Sequence, residues 1–97
     1  MTVRIEGDAE SGYSLQGKLT YDTVPGMFGQ DLQFAGETRI DLSKVERIDS
    51  AGLALLVEWT CTARRRDKRI ILEHIPNSLK SLIDVSGLQE VLSVAAD

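Results

Sequence analysis

The stretch of sequence that decides the fold runs from Ile40 to Leu56 and reads IDLSKVERIDSAGLALL. Its first residues alternate apolar and polar side chains, which is typical of a half-buried β-strand. Its second part is rich in leucine and begins with an Asp-Ser pair, a common N-cap of α-helices. The leucine-rich run ends in arginines, which are favourable at a helix C-terminus. We therefore predict a strand over residues 38–42 and a helix over residues 50–66.

The segments on either side extend this unit into an α/β fold. Residues 69–73 form a short apolar run that predicts a buried strand, so strand, helix and strand make a βαβ unit with a right-handed crossover. Residues 3–6 and 13–19 alternate around a turn signal at residues 10–12, which predicts a β-hairpin. Further helices are predicted over residues 24–32 and 76–85, with a short helical turn at residues 88–92. We expect a mixed four-stranded sheet, a hairpin plus parallel central strands, covered by about three to four helices.

Length and composition predict a single domain over residues 1–97, with one core. The one cysteine, Cys61, cannot form an intramolecular disulfide, which favours a cytoplasmic protein. The longest apolar run, residues 51–57, is far shorter than a membrane span, and the acidic N-terminus is unlike a signal peptide. A net charge of −4 argues against nucleic acid as a partner.

The start of the long helix is the first candidate site. Asp49 and Ser50 lie where free backbone N–H groups and the positive end of the helix dipole favour an anion, so a phosphate on Ser50 would be well placed. The simpler alternative is that this pair only caps the helix. Gly52 weakens that alternative, because glycine in a first turn is unfavourable and usually indicates close approach by another group.

The faces of the long helix suggest a second candidate site. At 100° per residue, the residues expected to face the sheet are Leu53, Ala54, Leu56, Val57, Thr60, Cys61 and Ala63. The opposite side carries Ala51, Leu55, Glu58 and Thr62, with Trp59 at the margin. Small residues with an exposed leucine and a nearby tryptophan are typical of a helix that docks onto a partner protein. Alternatively, Trp59 leans into the core edge and Leu55 is an ordinary exposed leucine.

Five of the basic residues fall within the segment Arg64–Arg69. Such a run most often closes a helix and keeps the following loop in solvent. An anionic membrane surface is a second interpretation, and nucleic acid is a third that the acidic remainder of the chain disfavours.

The sequence offers little support for an enzyme. Ser50 with the one histidine, His74, and Asp41 or Asp49 could in principle form a triad, but no nucleophile-elbow motif is present. One cysteine and one histidine make no metal site, and no phosphate-binding loop is present. We expect a noncatalytic protein without metal or cofactor.

The Ile-Asp-Ser-Ala-Gly-Leu segment, preceded by Ile-Asp-Leu-Ser and followed by the next strand, resembles the STAS domain. That family includes anti-sigma factor antagonists, sulfate-transporter tails and the small cytoplasmic subunit (MlaB) of the bacterial phospholipid ABC transporter. The resemblance covers nearly the whole chain and implies a STAS-like sandwich. It also implies that Ser50 matches the serine that a partner kinase phosphorylates in the antagonists.

Residues 15–25, which read LQGKLTYDTVP, are similar to the transporter-subunit pattern, whereas antagonists commonly have Leu-Asp after that glycine. The resemblance therefore implies a subunit that binds and regulates or stabilises the ATPase of a phospholipid-transporting ABC complex, held at the inner membrane only through that partner. The alternative is an anti-sigma factor antagonist that is switched by phosphorylation of Ser50 and bound by an anti-sigma factor kinase. The residues expected to bind the partner are Asp49, Ser50, Ala51, Gly52, Leu55 and Trp59.

Overall fold

A four-stranded sheet organises the fold, and its strands lie side by side in chain order. The computed structural model describes residues 3–28 and 32–95. The strands are β1 (Arg4–Asp8), β2 (Gly12–Leu19), β3 (Glu37–Ile48) and β4 (Arg69–Glu73). The helices are α1 (Ser50–Arg65) and α2 (Asn77–Ser86), with one 3-10 turn at Val24–Gly26. The pairing is antiparallel between β1 and β2 and parallel between the remaining neighbours, which confirms the predicted mixed sheet.

The hairpin of β1 and β2 closes through a turn at residues 8–12. The Asp8 carboxylate accepts hydrogen bonds from the Ser11 backbone N–H at 2.7 Å and from the Ser11 hydroxyl at 2.8 Å. These bonds favour the charged carboxylate and lower the pKa of Asp8. The turn signal read from the sequence therefore forms a hairpin in the structure.

Strand β3 is longer than the sequence predicts. Residues 43–48, expected to be a loop, continue the strand, with Lys44 opposite Gln16 and Ile48 opposite Leu19 of β2. Most of these added residues are polar and exposed, so hydrophobic alternation does not mark them as a strand. The parallel partner β2 satisfies their backbone groups instead, and it places the end of β3 directly before α1.

Both helices lie on one face of the sheet. Each parallel connection leads to the next strand on the same side, from β2 to β3 and from β3 to β4. The connection through α2 continues in that direction, because Val94 after α2 forms a parallel bridge with Leu72 of β4. Right-handed crossovers in a constant direction place every connecting segment on the same face. The helix contacts agree, since α1 packs against β3, β4 and α2. This arrangement brings the start of α1 next to α2.

The structure contains fewer helices than predicted. Within the described residues, the segment expected to form a helix over residues 24–32 makes only the 3-10 turn, and residues 29–31 lie outside the described part of the chain. Gly26 disfavours continuation of a helix there, while Val24 and Met27 are buried in the core. Residues 88–92 form a single turn, closed by the Leu92 N–H bonding to the Leu88 oxygen at 3.1 Å.

The core fills the space between the sheet and the two helices. Its fully buried members come from every layer: Leu15 and Leu19 on β2, Ile40 and Leu42 on β3, Leu72 on β4, Leu55 and Leu56 on α1, and Leu79 on α2.

Candidate functional site

The start of α1 is held in place by Asp49. Its Oδ1 atom accepts hydrogen bonds from the backbone N–H groups of Ala51 at 2.9 Å and Gly52 at 3.4 Å. Its Oδ2 atom accepts one from the Tyr21 N–H at 3.2 Å, and its own N–H donates to the Leu19 oxygen at 3.1 Å. Asp49 is therefore the N-cap of α1, and it also ties the helix to the end of β2. Its carboxylate is half-buried and already occupied.

Ser50 is the exposed residue of the predicted site. Its hydroxyl forms no hydrogen bond with the described part of the chain, so it is accessible to a partner or a modifying enzyme. The first free N–H groups of α1, which were expected to receive an anion, are instead bound by the Asp49 carboxylate. A phosphate on Ser50 would meet a neighbouring negative charge rather than those groups.

Gly52 is explained by the fold itself. It is buried, and a Cβ added to it would lie 2.5 Å from the Leu19 backbone oxygen and 2.6 Å from Cγ1 of Ile48. The close approach that the sequence suggested is therefore made by the ends of β2 and β3. Because Gly52 is buried, it offers little surface for the direct partner contact that the sequence predicted.

The orientation of α1 differs from the predicted one by roughly 100°, the rotation of one residue. Leu55 is fully buried and Trp59 is 4% exposed, whereas Ala54 is exposed and Val57 and Cys61 are half-buried. The predicted exposed position of Leu55 is wrong, and Trp59 lies in the core, as in the alternative reading. The apolar residues from Leu53 to Val57 surround the helix almost completely, so periodicity alone could not define its buried side.

A row of residues along α2 completes the surface around Ser50. Ser78, Ser81, Leu82 and Val85 follow a helical i, i+3, i+4, i+7 spacing, and with Ile48, Asp49 and Ser50 they line a groove of about 490 Å³. Val85 is 89% exposed, the most exposed large apolar side chain in the described chain. We call the residues Ser50, Ser78, Ser81, Leu82 and Val85 the docking groove. Its serines are small, Val85 faces outward and Leu82 is half-buried between Val85 and the core, which allows close approach by another protein.

The α2 half of this groove was missed by sequence reasoning. Leu79 and Ile83 form the buried side of α2, at i and i+4. Leu82 and Val85 lie three residues apart off that line; Leu82 is half-buried against the core and Val85 is exposed, so the helical pattern did contain a signal of an apolar side chain that the core does not cover. The sequence could not indicate that these residues lie beside Ser50, because only the tertiary packing of α2 against α1 brings them together.

Within residues 3–28 and 32–95, no three His, Cys, Asp or Glu side chains are grouped closely enough to hold a metal ion. His74 is exposed, immediately after β4. In the same ranges, no helix is both long and apolar enough to pass through a lipid bilayer.

A family model described as "Mlab, STAS domain" matches residues 2–93. The chain belongs to the STAS domain family. A solved structure with the same STAS architecture is that of the anti-sigma factor antagonist SpoIIAA in its unphosphorylated form, with a TM-score of 0.64. The two chains are 11% identical, and the match covers 98% of this chain and 88% of SpoIIAA, which establishes a shared fold. No curated protein matches this STAS chain in sequence.

Proposed function

We propose that this STAS domain is a noncatalytic, cytoplasmic subunit that binds the ATPase of a phospholipid-transporting ABC complex and regulates or stabilises it. The observation that carries the proposal is the exposed Ser50 at the edge of the docking groove, next to the outward-facing Val85. The family description, which names Mlab, supports the choice of a transporter partner. In this proposal, the domain reaches the membrane only through that partner.

The groove supports binding better than catalysis. Its residues offer hydroxyl and apolar groups, while the adjoining carboxylate of Asp49 is held by three backbone N–H groups. A general base needs a free, correctly placed group within hydrogen-bond distance of the nucleophile, and the groove lining supplies none to Ser50. STAS domains generally act as interaction modules, which agrees with this chemistry.

The structure divides the residues expected to bind the partner into those at the surface and those inside the fold. Ser50 and the half-buried Ala51 remain candidates for direct contact, together with Leu82 and Val85 of α2. Asp49, Gly52, Leu55 and Trp59 act indirectly, because they fix the position and start of α1 from inside the fold.

The direct test is co-purification of the chain with the candidate ABC ATPase of its own cell. Ser50→Arg places a long cation at the groove and is expected to reduce bound ATPase at least tenfold, since a side chain that blocks the contact costs more than about 1.4 kcal/mol. Ser43→Arg is the matched control, because Ser43 is exposed on β3 and lies outside the groove. If both variants bind the ATPase equally well, the proposed contact at Ser50 is refuted. If the wild type does not bind the ATPase, the proposed partner is refuted.

A second candidate function is that of an anti-sigma factor antagonist switched at Ser50. It is favoured by the free Ser50 hydroxyl and by the fold shared with SpoIIAA, an anti-sigma factor antagonist. Phosphorylation would add nearly two negative charges beside Asp49 and repel an acidic partner surface, such as that of an anti-sigma factor kinase.

The intact mass of the protein from its native cell distinguishes the two functions. A stoichiometric phosphate that changes with growth conditions and is lost in Ser50→Ala supports the antagonist function. Its persistent absence, together with ATPase binding, supports the transporter function.

A further inference from the structure

A basic cleft lies at the opposite end of α1 from the docking groove. It has a volume of about 360 Å³ and is lined by Thr60, Arg64, Lys68, Arg69, Ile70 and Ser93. Three of these residues are cationic and none is acidic, although the whole chain carries a net charge of −4. Thr60 and Ile70 are 4% and 3% exposed, so they form a buried floor beneath the charged side chains.

The cleft is built by three segments that hold each other in place. The Lys68 N–H donates to the Ala63 oxygen of α1 at 2.8 Å, and the Leu72 N–H of β4 donates to the Ser93 oxygen at 2.9 Å. The Arg64 guanidinium donates through Nη2 to the Val91 oxygen at 2.7 Å, which orients it while leaving other N–H groups free. The Arg64 guanidinium is therefore oriented before any ligand arrives, and the backbone that carries Lys68 and Ser93 is fixed beside it.

The described part of the chain does not neutralise the charges inside the cleft. Elsewhere, Arg39 pairs with Glu73 at 2.8 Å and Arg65 approaches Glu58 at 3.7 Å. Within residues 3–28 and 32–95, no carboxylate lies within 4.0 Å of the cationic groups of Arg64, Lys68 or Arg69. The nearby acids in the sequence, Asp67 and Glu90, form no ion pair with them. Adjacent like charges in a concave surface raise the local potential and attract an anion.

Helix capping does not account for this arrangement. The terminal carbonyl of Ala63 already accepts the N–H groups of Arg66 and Lys68, and that of Arg64 accepts the Asp67 N–H. Arg69 lies on β4, outside the helix. The Ser93 hydroxyl, which forms no hydrogen bond with the described chain, adds a neutral donor to the same cleft.

We propose that this cleft binds a phosphate group. Guanidinium groups recognise phosphate oxygens through paired N–H donors, while an ammonium and a hydroxyl contribute further single contacts. The ligand is either a soluble phosphorylated compound or the headgroup of an anionic phospholipid, which share this chemistry. The α1 residues of the cleft, Thr60 and Arg64, lie about 15 and 21 Å along the helix from Ser50, so the cleft does not depend on the function proposed for the groove.

The first arm of the test is an NMR titration of the ¹⁵N-labelled full chain with inorganic phosphate at constant ionic strength, with chloride as the reference. Saturable shifts are expected at residues 64, 68–70 and 93. Lys68→Gln combined with Arg69→Gln should weaken binding at least about tenfold, because two charged donors are lost. Arg47→Gln, an exposed cation on β3 outside the cleft, should leave the binding unchanged.

The second arm is co-flotation with vesicles of phosphatidylglycerol and, separately, of phosphatidylcholine. If the wild type floats with phosphatidylglycerol but not with phosphatidylcholine, and the double variant does not float, the headgroup is the source of the phosphate. Saturable phosphate binding without flotation identifies a soluble ligand instead. The proposal is overturned if chloride and phosphate cause equal NMR shifts and the double variant floats with the vesicles as much as the wild type does, or neither floats. It is also overturned if Arg47→Gln weakens binding as much as the double variant, because general surface charge would then be responsible.

Discussion

The backbone oxygen of Leu19 lies so close to Gly52 that a Cβ at residue 52 would be 2.5 Å from it. The same oxygen accepts the Asp49 N–H at 3.1 Å. The end of β2 and the first turn of α1 are therefore in direct backbone contact. This contact places Ser50 at the surface, and it requires glycine two residues later.

Gly52→Ala is expected to lower the free energy of unfolding by about 1–3 kcal/mol. The added methyl group meets a backbone oxygen that cannot rotate away, and this overpacking outweighs the gain in helix propensity of about 1 kcal/mol. Urea denaturation monitored by circular dichroism measures the change. Gly26→Ala is the control, because a Cβ at residue 26 meets nothing within 4 Å. Equal stability of Gly52→Ala and wild type would contradict the close packing.

Asp49→Ala should destabilise the domain by about 1–2 kcal/mol, since it removes the side-chain cap of α1 and the bond to the Tyr21 N–H. Asp49→Ser should recover part of this loss, because a serine hydroxyl can still accept from the first helical N–H groups. Thermal unfolding of the three proteins provides the comparison. If alanine and serine behave alike, the cap contributes nothing to stability.

Leu55→Ala is expected to cost about 2–5 kcal/mol, the range for a buried leucine truncated in a core. Ala54→Ser, one residue away on the exposed side of α1, should change stability by less than about 0.5 kcal/mol. Denaturant midpoints of the two variants test the orientation of the helix directly. A large loss for Ala54→Ser and a small one for Leu55→Ala would instead support the orientation predicted from the sequence.

Val85→Asp should weaken partner binding and leave the fold intact. Val85 is 89% exposed, so its replacement removes little core packing and stability should stay within about 0.5 kcal/mol of wild type. A charge buried without a pair in an interface is unfavourable, so co-purified ATPase should fall several-fold. Ser43→Asp controls for added negative charge outside the groove. Unchanged binding by Val85→Asp would exclude α2 from the contact.

Tyr13 is expected to make stability depend on alkaline pH. Its hydroxyl donates to the Gln33 oxygen at 2.7 Å, and burial raises the pKa of Tyr13 above the ordinary value of 10.0. Because the unfolded chain then loses this proton at lower pH than the folded chain, the contribution is complete below pH 10 and is lost as pH rises through the folded-state pKa.

The matching variant is Tyr13→Phe. It should be less stable by about 1 kcal/mol at neutral pH, since it loses one hydrogen bond, and the difference from wild type should shrink above pH 10. Urea denaturation at pH 7 and above pH 10 measures both effects. A difference that stays constant with pH would contradict the raised pKa.

Local patterns in the sequence were sufficient for much of this fold. Alternating side chains predicted β1, β2 and the first half of β3, and the Asp-Ser pair predicted the cap at Asp49, because these features depend on residues close together in the chain. The same segment carried the resemblance to the STAS family, which the family match confirms. The sequence also placed the start of the helix at Ser50, which is the first residue of α1.

Tertiary packing decided what remained. The second half of β3 is a strand because β2 lies beside it. Helix α1 is apolar nearly all round, and it buries Leu55 and Trp59 because the sheet and α2 together cover more than one of its sides. The docking groove joins Ser50 to Val85, residues 35 positions apart that only the packing of α1 against α2 brings together. Short-range sequence determines which elements form and where they begin. Which of their faces meet depends on the competition among all apolar surfaces for one small core.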